Sequence, residues 1–328
     1  MKFISSLLFL LASLTFAAGA WWLQHPLVLK SGIVELTVEP GAHARTVVQA
    51  LVDNGVQVQP QLLHWWIRLS GQSRQLKAGS YEFSGNPTPR TLVAKLVRGE
   101  VAMRSVTLLE GQTFAQWREQ LRMASYLKPD TQDLSDGAVM EKLGRPGVYP
   151  EGRFFPDTYT YAKNSSDLAV LRHALEAMDQ RLAQVWAQRS PDSPLKTPDE
   201  ALILASIVEK ETGRPADRGQ ISGVFNNRLR KGMLLQTDPT VIYGLGPKFD
   251  GNLRKRDLLA DTPWNTYTRV GLPPTPIAMP SMDALLAAVQ PAPTHALYFV
   301  ARGDGTSEFS ATLQEHNRAV RKYQLGQP

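Results

Sequence analysis

The chain has 328 residues and is 43% hydrophobic, enough to bury a sizeable core, and its length suits two domains or one large domain with an appendage. The formal charge of +6 and a pI near 9.5 fit an anionic partner, but no Lys/Arg run is dense enough for a nucleic-acid groove, so nucleic acid is not an expected partner. Cysteine is absent, which excludes disulfides and Cys-based zinc sites. The histidines (His25, His43, His64, His173, His295 and His316) show no paired ligand spacing, so neither a metal nor another cofactor is expected.

At the amino end no Asp, Glu, Lys or Arg falls between Lys2 and Lys30, and Phe3–Leu23 is long enough to cross a bilayer of roughly 30 Å. The run reads as a transmembrane anchor (1–23) or an export signal: Ala18-Gly19-Ala20 offers a cleavage site, whereas the length of the run and Trp21-Trp22 at its outer end suit an anchor. In both cases Lys2 stays in the cytoplasm and the remainder is delivered outside the inner membrane. Ile33–Val38 then alternates like a strand, Pro40-Gly41 turns, and Thr46–Asp53 has helical periodicity ending at Asn54-Gly55. Leu62–Leu69 reads as an apolar helix, residues 78–83 as a short strand and Thr91–Arg98 as a helix opened by Pro89. Trp65 and Trp66 suit core or interface packing, with sugar stacking as the alternative.

A second strand-turn-helix copy occupies Ser105–Leu121. In both copies a leucine, Leu51 or Leu121, lies ten residues beyond the turn glycine, Gly41 or Gly111. Pro150–Tyr161 is aromatic and broken by Gly152 and Pro156, so it predicts an ordered loop or strand edge; its Glu151 and Asp157 are candidate site acids. Asp167–Arg189 is a long amphipathic helix and Ser190–Pro198 a loop. In Thr197–Gly213 the cap Thr197, Pro198 and Glu200 mark a helix start, and between Ala201 and Val208 only Ser206 is polar. That helix must be buried on most sides, and it ends in Glu209 and Glu211, which point about 160° apart. A carboxyl group in apolar surroundings is pushed up, as a general acid on a glycosidic oxygen requires; a solvated Glu-Lys-Glu helix end is the alternative. Gln220–Arg230 is helical, Gly232 opens a stretch with few helix signals, Met282–Val289 is helical and Ala296–Ala301 is a strand candidate. The order is α+β, with no βαβ rhythm.

The segments EGRFFPDTY, LASIVEKET, VFNNRLRKGMLLQTDPTVIYGLG, NTYTRVGLPPTPIAMP and LYFVARGDGTSEFSATLQEHN, in this order, resemble the YceG-like family. The resemblance runs from the anchor to the end and is dense from about Glu151 to Asn317. It implies a single-pass inner-membrane anchor, a small LysM-like domain over 33–104 and a catalytic domain over 105–328 facing the periplasm. It also implies endolytic lytic transglycosylase activity. Nascent peptidoglycan strands would be cut between N-acetylmuramic acid and N-acetylglucosamine, leaving 1,6-anhydro-N-acetylmuramic acid and ending glycan elongation, with peptidoglycan synthases as possible partners. The catalytic residue so implied is the first glutamate of VEKE, Glu209.

One carboxyl group used twice suits that reaction, first as acid to the leaving oxygen and then as base to the muramoyl C6 hydroxyl. A water-using muramidase would need a second carboxyl, for which Asp238 and Glu151 are available, although Asp238 beside Pro239 also reads as a turn acid. Gln236, Thr237, Asn265 and Tyr267 offer amides and hydroxyls to sugar groups, and Asn265 could equally hold its own loop. No pattern in Ile33–Arg104 by itself establishes sugar binding. A catalytically inactive wall-binding scaffold of the same fold is the rival from another class.

Overall fold

The computed structural model describes residues 2–326, which form two compact units. The first comprises the chain up to Arg104 together with 125–127 and 160–165; the second comprises 105–124, 128–159 and the chain from Ser166 onward.

The first unit begins with α1 (Lys2–Gln24), of which Ser6–Gln24 is apolar and long enough to cross a membrane. Beyond it lie β1 (Val28–Leu29), β2 (Ile33–Val38), α2 (Ala44–Asp53), β3 (Val56–Gln57), α3 (Pro60–Leu69), β4 (Gly79–Ser84) and α4 (Pro89–Arg98). β2 pairs antiparallel with β4, Ile33 opposite Ser84 and Val38 opposite Gly79, while β1 pairs antiparallel with β3. Alternation along β2 turns Val34, Leu36 and Val38 inward, where they meet Val47 and Leu51 of α2, Leu63 and Ile67 of α3, and Leu92 and Leu96 of α4. Each such leucine or isoleucine contributes about 1.5–3 kcal/mol relative to exposure. The short returning segments are held electrostatically: buried Lys163 lies 2.6 Å from Glu35 and 3.8 Å from the Tyr126 ring centroid. Trp66 is partly buried against this core, whereas Trp65 projects outward.

β5 (Met103–Leu108) leads to α5 (Phe114–Met123), α6 (Asp136–Lys142), β6 (Asp157–Ala162), which pairs with β5, and α7 (Asp167–Ala187). Then come α8 (Pro198–Glu211), α9 (Pro215–Arg230), α10 (Asp238–Leu245), α11 (Lys255–Leu259), α12 (Met282–Val289), β7 (Tyr298–Ala301), β8 (Ser307–Ser310) and α13 (Leu313–Gln324). The two strand-turn-helix copies are both present. Gly41 and Gly111 take positive φ, at 79° and 70°, and Leu51 and Leu121 are both buried.

Several elements differ from the expectations or add to them. α9 starts five residues earlier than its apolar periodicity suggests, because Pro215 supplies the first helical position after Arg214. α10 and α11 fall where few helix signals stood. α10 lacks a side-chain cap because the Thr237 hydroxyl is turned to Glu211 instead. β8 pairs antiparallel with β7 across the Gly303–Gly305 turn. Asp238 is not a turn acid but the first residue of α10.

Candidate active site

α8 is the axis of the second unit. Thr197 caps it by accepting from Glu200 N, while the Glu200 carboxylate takes Lys196 N rather than the cap's own N–H, so the capping box is only half formed. All eight residues from Ala201 to Val208 are buried, and α8 packs against α7, α9, α10 and α12. Its one buried hydroxyl, Ser206, donates to Ile203 O at 2.7 Å and accepts from Ile277 N at 3.0 Å. The Pro273–Pro280 segment is thereby strapped along the helix.

The helix ends by presenting its two glutamates to different surroundings. Glu209 reaches the amino end of α12. Its Oε2 accepts from Ser281 N at 2.9 Å and Ser281 Oγ at 2.5 Å, and its Oε1 lies 3.6 Å from the Arg218 guanidinium, which also pairs with Asp283 at 3.3 Å. Lys210 donates to Gly111 O at 3.0 Å. The backbone of Gly111 and Gln112 exchanges two hydrogen bonds with Met279, and a Cβ on Gly111 would sit 4.0 Å from Glu209 Cγ. Glu209 is therefore enclosed by a turn, a strap and a helix start, its side chain 6% exposed.

Glu211, on the opposite flank, accepts from the buried Thr237 hydroxyl. Burial pushes its carboxyl up to about 7; the charge of Asp238 adds to this, while the Thr237 hydrogen bond and Arg228 oppose it. The apolar setting expected at the end of α8 is thus found at Glu211, whereas the Glu209 carboxylate faces donors and a guanidinium. Helical phase places the Cβ atoms correctly, but the carboxyl tips extend beyond the helix to partners distant in sequence.

Glu151 is a third buried carboxyl. Only 4% exposed, it accepts from Phe114 N at 2.9 Å and Tyr243 Oη at 3.1 Å, and burial outweighs both bonds to push it up to about 7. The Gly111 turn runs through Thr113 into Phe114, the first residue of α5, so Glu209 and Glu151 border the same segment of chain. Gly152 follows at φ 76° with Pro276 so close that a Cβ would lie 2.4 Å from Pro276 Cβ.

The other candidates gather around Glu211. Gln236, exposed and at φ 49°, donates its N–H to Thr266 O at 3.0 Å; Thr237 N donates to Thr266 Oγ1 at 3.1 Å. Exposed Asp238 accepts from Tyr267 Oη at 2.5 Å. Asn265 has no exposed surface. Its amide donates to Leu258 O and Ala260 O and its carbonyl accepts from Tyr267 N, so it holds its own loop with both ends of its amide engaged there. Asp157 begins β6 and accepts from Thr158 N. Sequence reasoning missed Ser281, Arg218 and Tyr243. Ser281 had a visible signal, a serine just before an apolar helix, whereas Arg218 and Tyr243 had none.

The model of the YceG-like family matches residues 36–322. The endolytic murein transglycosylase of Bacillus subtilis (strain 168) is 29% identical over 307 residues, covering 88% of this chain and 84% of that protein. The endolytic murein transglycosylase of Streptococcus pneumoniae serotype 2 is 29% identical over 282 residues, 76% of this chain and 51% of that protein, so the chain spans about half the length of this relative. The crystal structure of a yceG-like protein from Listeria monocytogenes superposes with a TM-score of 0.56 at 28% identity, covering 88% of this chain and 98% of that one.

Proposed function

The chain belongs to the YceG-like family, and from that membership and the end of α8 we propose that it is an endolytic lytic transglycosylase of peptidoglycan. Glu209 is its acid/base. The observation that carries the assignment is the setting of Glu209: a carboxyl at the end of a rigid buried helix, oriented through one oxygen by Ser281 and bordered by the Gly111 turn. In the first step Glu209 gives its proton to the glycosidic oxygen as the bond from muramoyl C1 breaks. In the second, the muramoyl C6 hydroxyl bonds to C1 and returns its proton to Glu209. No water is consumed. Ser281 and Arg218 stabilise the carboxylate that exists between the steps.

The remaining assignments follow the same reading. Gln236, Asp238 and Tyr267 are the exposed or half-exposed polar groups offered to the glycan, Thr237 and Asn265 position them, and Glu151 anchors the turn beside Glu209. Residues 33–104 form a LysM-like domain and 105–328 the catalytic domain. α1 is a single-pass inner-membrane anchor, and Lys2 at its end supports an orientation with both domains in the periplasm, where the enzyme would end elongation of strands made by peptidoglycan synthases.

A muramidase would need a carboxylate free to activate water. Both oxygens of Glu151 are already hydrogen-bonded in a buried site, and Asp238 is bonded to Tyr267. Digestion of glycan strands in heavy-oxygen water separates the two reactions: new ends should be 1,6-anhydro-muramoyl and free of solvent oxygen. Reducing muramic acid carrying the heavy isotope would overturn the proposal.

A further inference from the structure

α3 carries an apolar face that the first unit leaves uncovered. Leu62, Trp65 and Leu69 are 52%, 54% and 79% exposed, and at 100° per residue they fall within about 60° of arc. The buried side of the same helix, Leu63 and Ile67, already fills the core, so the outer face is not the result of loose packing. Next to it Arg68 sits over the Trp65 ring at 5.7 Å. Arg45, Arg68 and Arg74, with His43 and His64, line an open cavity of about 750 Å³ in which Glu39 is the single acidic residue. An exposed leucine-tryptophan stripe flanked by arginines is the composition of a helix lying at a membrane interface.

The connections of α3 place this face close to a bilayer. β1 pairs with β3, Val28 opposite Gln57. Val28 follows the end of α1 by four residues and Gln57 precedes α3 by three, so the reach of the chain limits these two connections to about 14 Å and about 10 Å. Val28 itself is 59% exposed, and Trp21 at the outer end of α1 is exposed too. We infer that the Leu62-Trp65-Leu69 face of α3 lies in the headgroup layer of the bilayer that α1 spans, with Arg45, Arg68 and Arg74 meeting anionic phospholipid. This rests on the reading of α1 as an anchor. It makes the first unit a membrane-seated base with a definite orientation instead of a freely swinging spacer.

The absence of cysteine makes the full chain suitable for single-site spin labelling. Leu62→Cys, Leu69→Cys, the exposed α2 position Gln49→Cys and the anchor position Leu10→Cys are each labelled and reconstituted into bilayers of phosphatidylcholine, with and without phosphatidylglycerol. Collision with oxygen relative to a water-soluble nickel reagent should be several-fold higher at 62 and 69 than at 49, and should fall when phosphatidylglycerol is omitted or when Arg45, Arg68 and Arg74 are all changed to Glu. Water-like values at 62 and 69 with a lipid-like value at 10 overturn the inference while leaving the anchor intact. A water-like value at 10 overturns the anchor reading itself. Dipolar broadening at 69 without oxygen enrichment would mean that a second copy covers the face, which also overturns it. Enrichment that ignores both lipid charge and the arginine changes would refute the anionic-lipid contact.

Discussion

Ser281 donates twice to one oxygen of Glu209, from its backbone N–H at 2.9 Å and its hydroxyl at 2.5 Å, while the same hydroxyl accepts from Ala284 N to cap α12. One residue thus starts the helix and orients the proposed acid/base. Ser281→Ala keeps the backbone bond and removes the hydroxyl. Loss of a hydrogen bond to a charged group costs about 1.5–3 kcal/mol and loss of the cap about 1 kcal/mol. Glycan cleavage should fall roughly tenfold to a hundredfold, mainly in kcat, and Ser281→Thr should restore most of it. Equal turnover in Ser281→Ala and the parent chain would remove Ser281 from the mechanism.

The two glutamates of α8 are separated by their neutral amides. Glu209→Gln retains shape and an acceptor for Ser281 but has no proton to give, so cleavage should drop at least about a hundredfold in a folded protein. Glu211→Gln still accepts from Thr237 and should keep most activity. A folded Glu211→Gln that is inactive beside an active Glu209→Gln would reverse the assignment.

The same Glu211 change has an opposite signature in stability. Burial raises Glu211 from 4.5 to about 7 in the folded chain, so folding favours its protonated form. The contribution is fully present below pH 4.5 and is lost as pH rises toward 7, a swing of up to about 3 kcal/mol. Glu151, raised to about 7 for the same reason, adds in the same direction. Thermal unfolding of the detergent-solubilised chain at pH 8 should therefore occur higher in Glu211→Gln than in the parent, by on the order of 5 °C, with the gap closing near pH 4.5. A gap that is constant across this range would mean that Glu211 does not titrate on folding.

The α8 helix and its burial are legible in Thr197–Val208 because capping and apolar content are local properties. The mixed α+β character and the strand-turn-helix copies could be read for the same reason. What could not be read was which carboxyl ends up dry. That depends on where Ser281, Thr237 and Arg218 arrive, and these lie 9 to 72 residues away from their glutamates in the chain. α10 does carry a local start signal, Thr237 followed by Pro239, but Asp238-Pro239 reads equally as a turn and the helix is only eight residues long. By residue type Asn265 suits a sugar contact and a loop anchor equally, and its burial decides for the loop.

Gly152 tests whether the site depends on close backbone packing. It follows Glu151, takes φ 76°, and lies so near the Pro273–Pro280 strap that an added Cβ would stand 2.4 Å from Pro276 Cβ and 2.6 Å from its Cγ. Alanine there meets two penalties, a left-handed backbone costing about 1–2 kcal/mol and an overlap with a rigid proline ring costing about 1–3 kcal/mol. The strap cannot yield freely, since Ile277 N is bonded to Ser206 of α8 and Met279 is bonded to the Gly111 turn. Strain at Gly152 should therefore reach Glu209 through Met279 and Gly111, and Glu151 directly. Gly152→Ala should lower stability by about 2–5 kcal/mol and reduce cleavage even at temperatures where it stays folded. Gly144→Ala, also at positive φ but with nothing near its Cβ, should show only the backbone penalty and normal turnover. If both variants lose the same stability and both cleave normally, the packing of the turn on the strap does not shape the site.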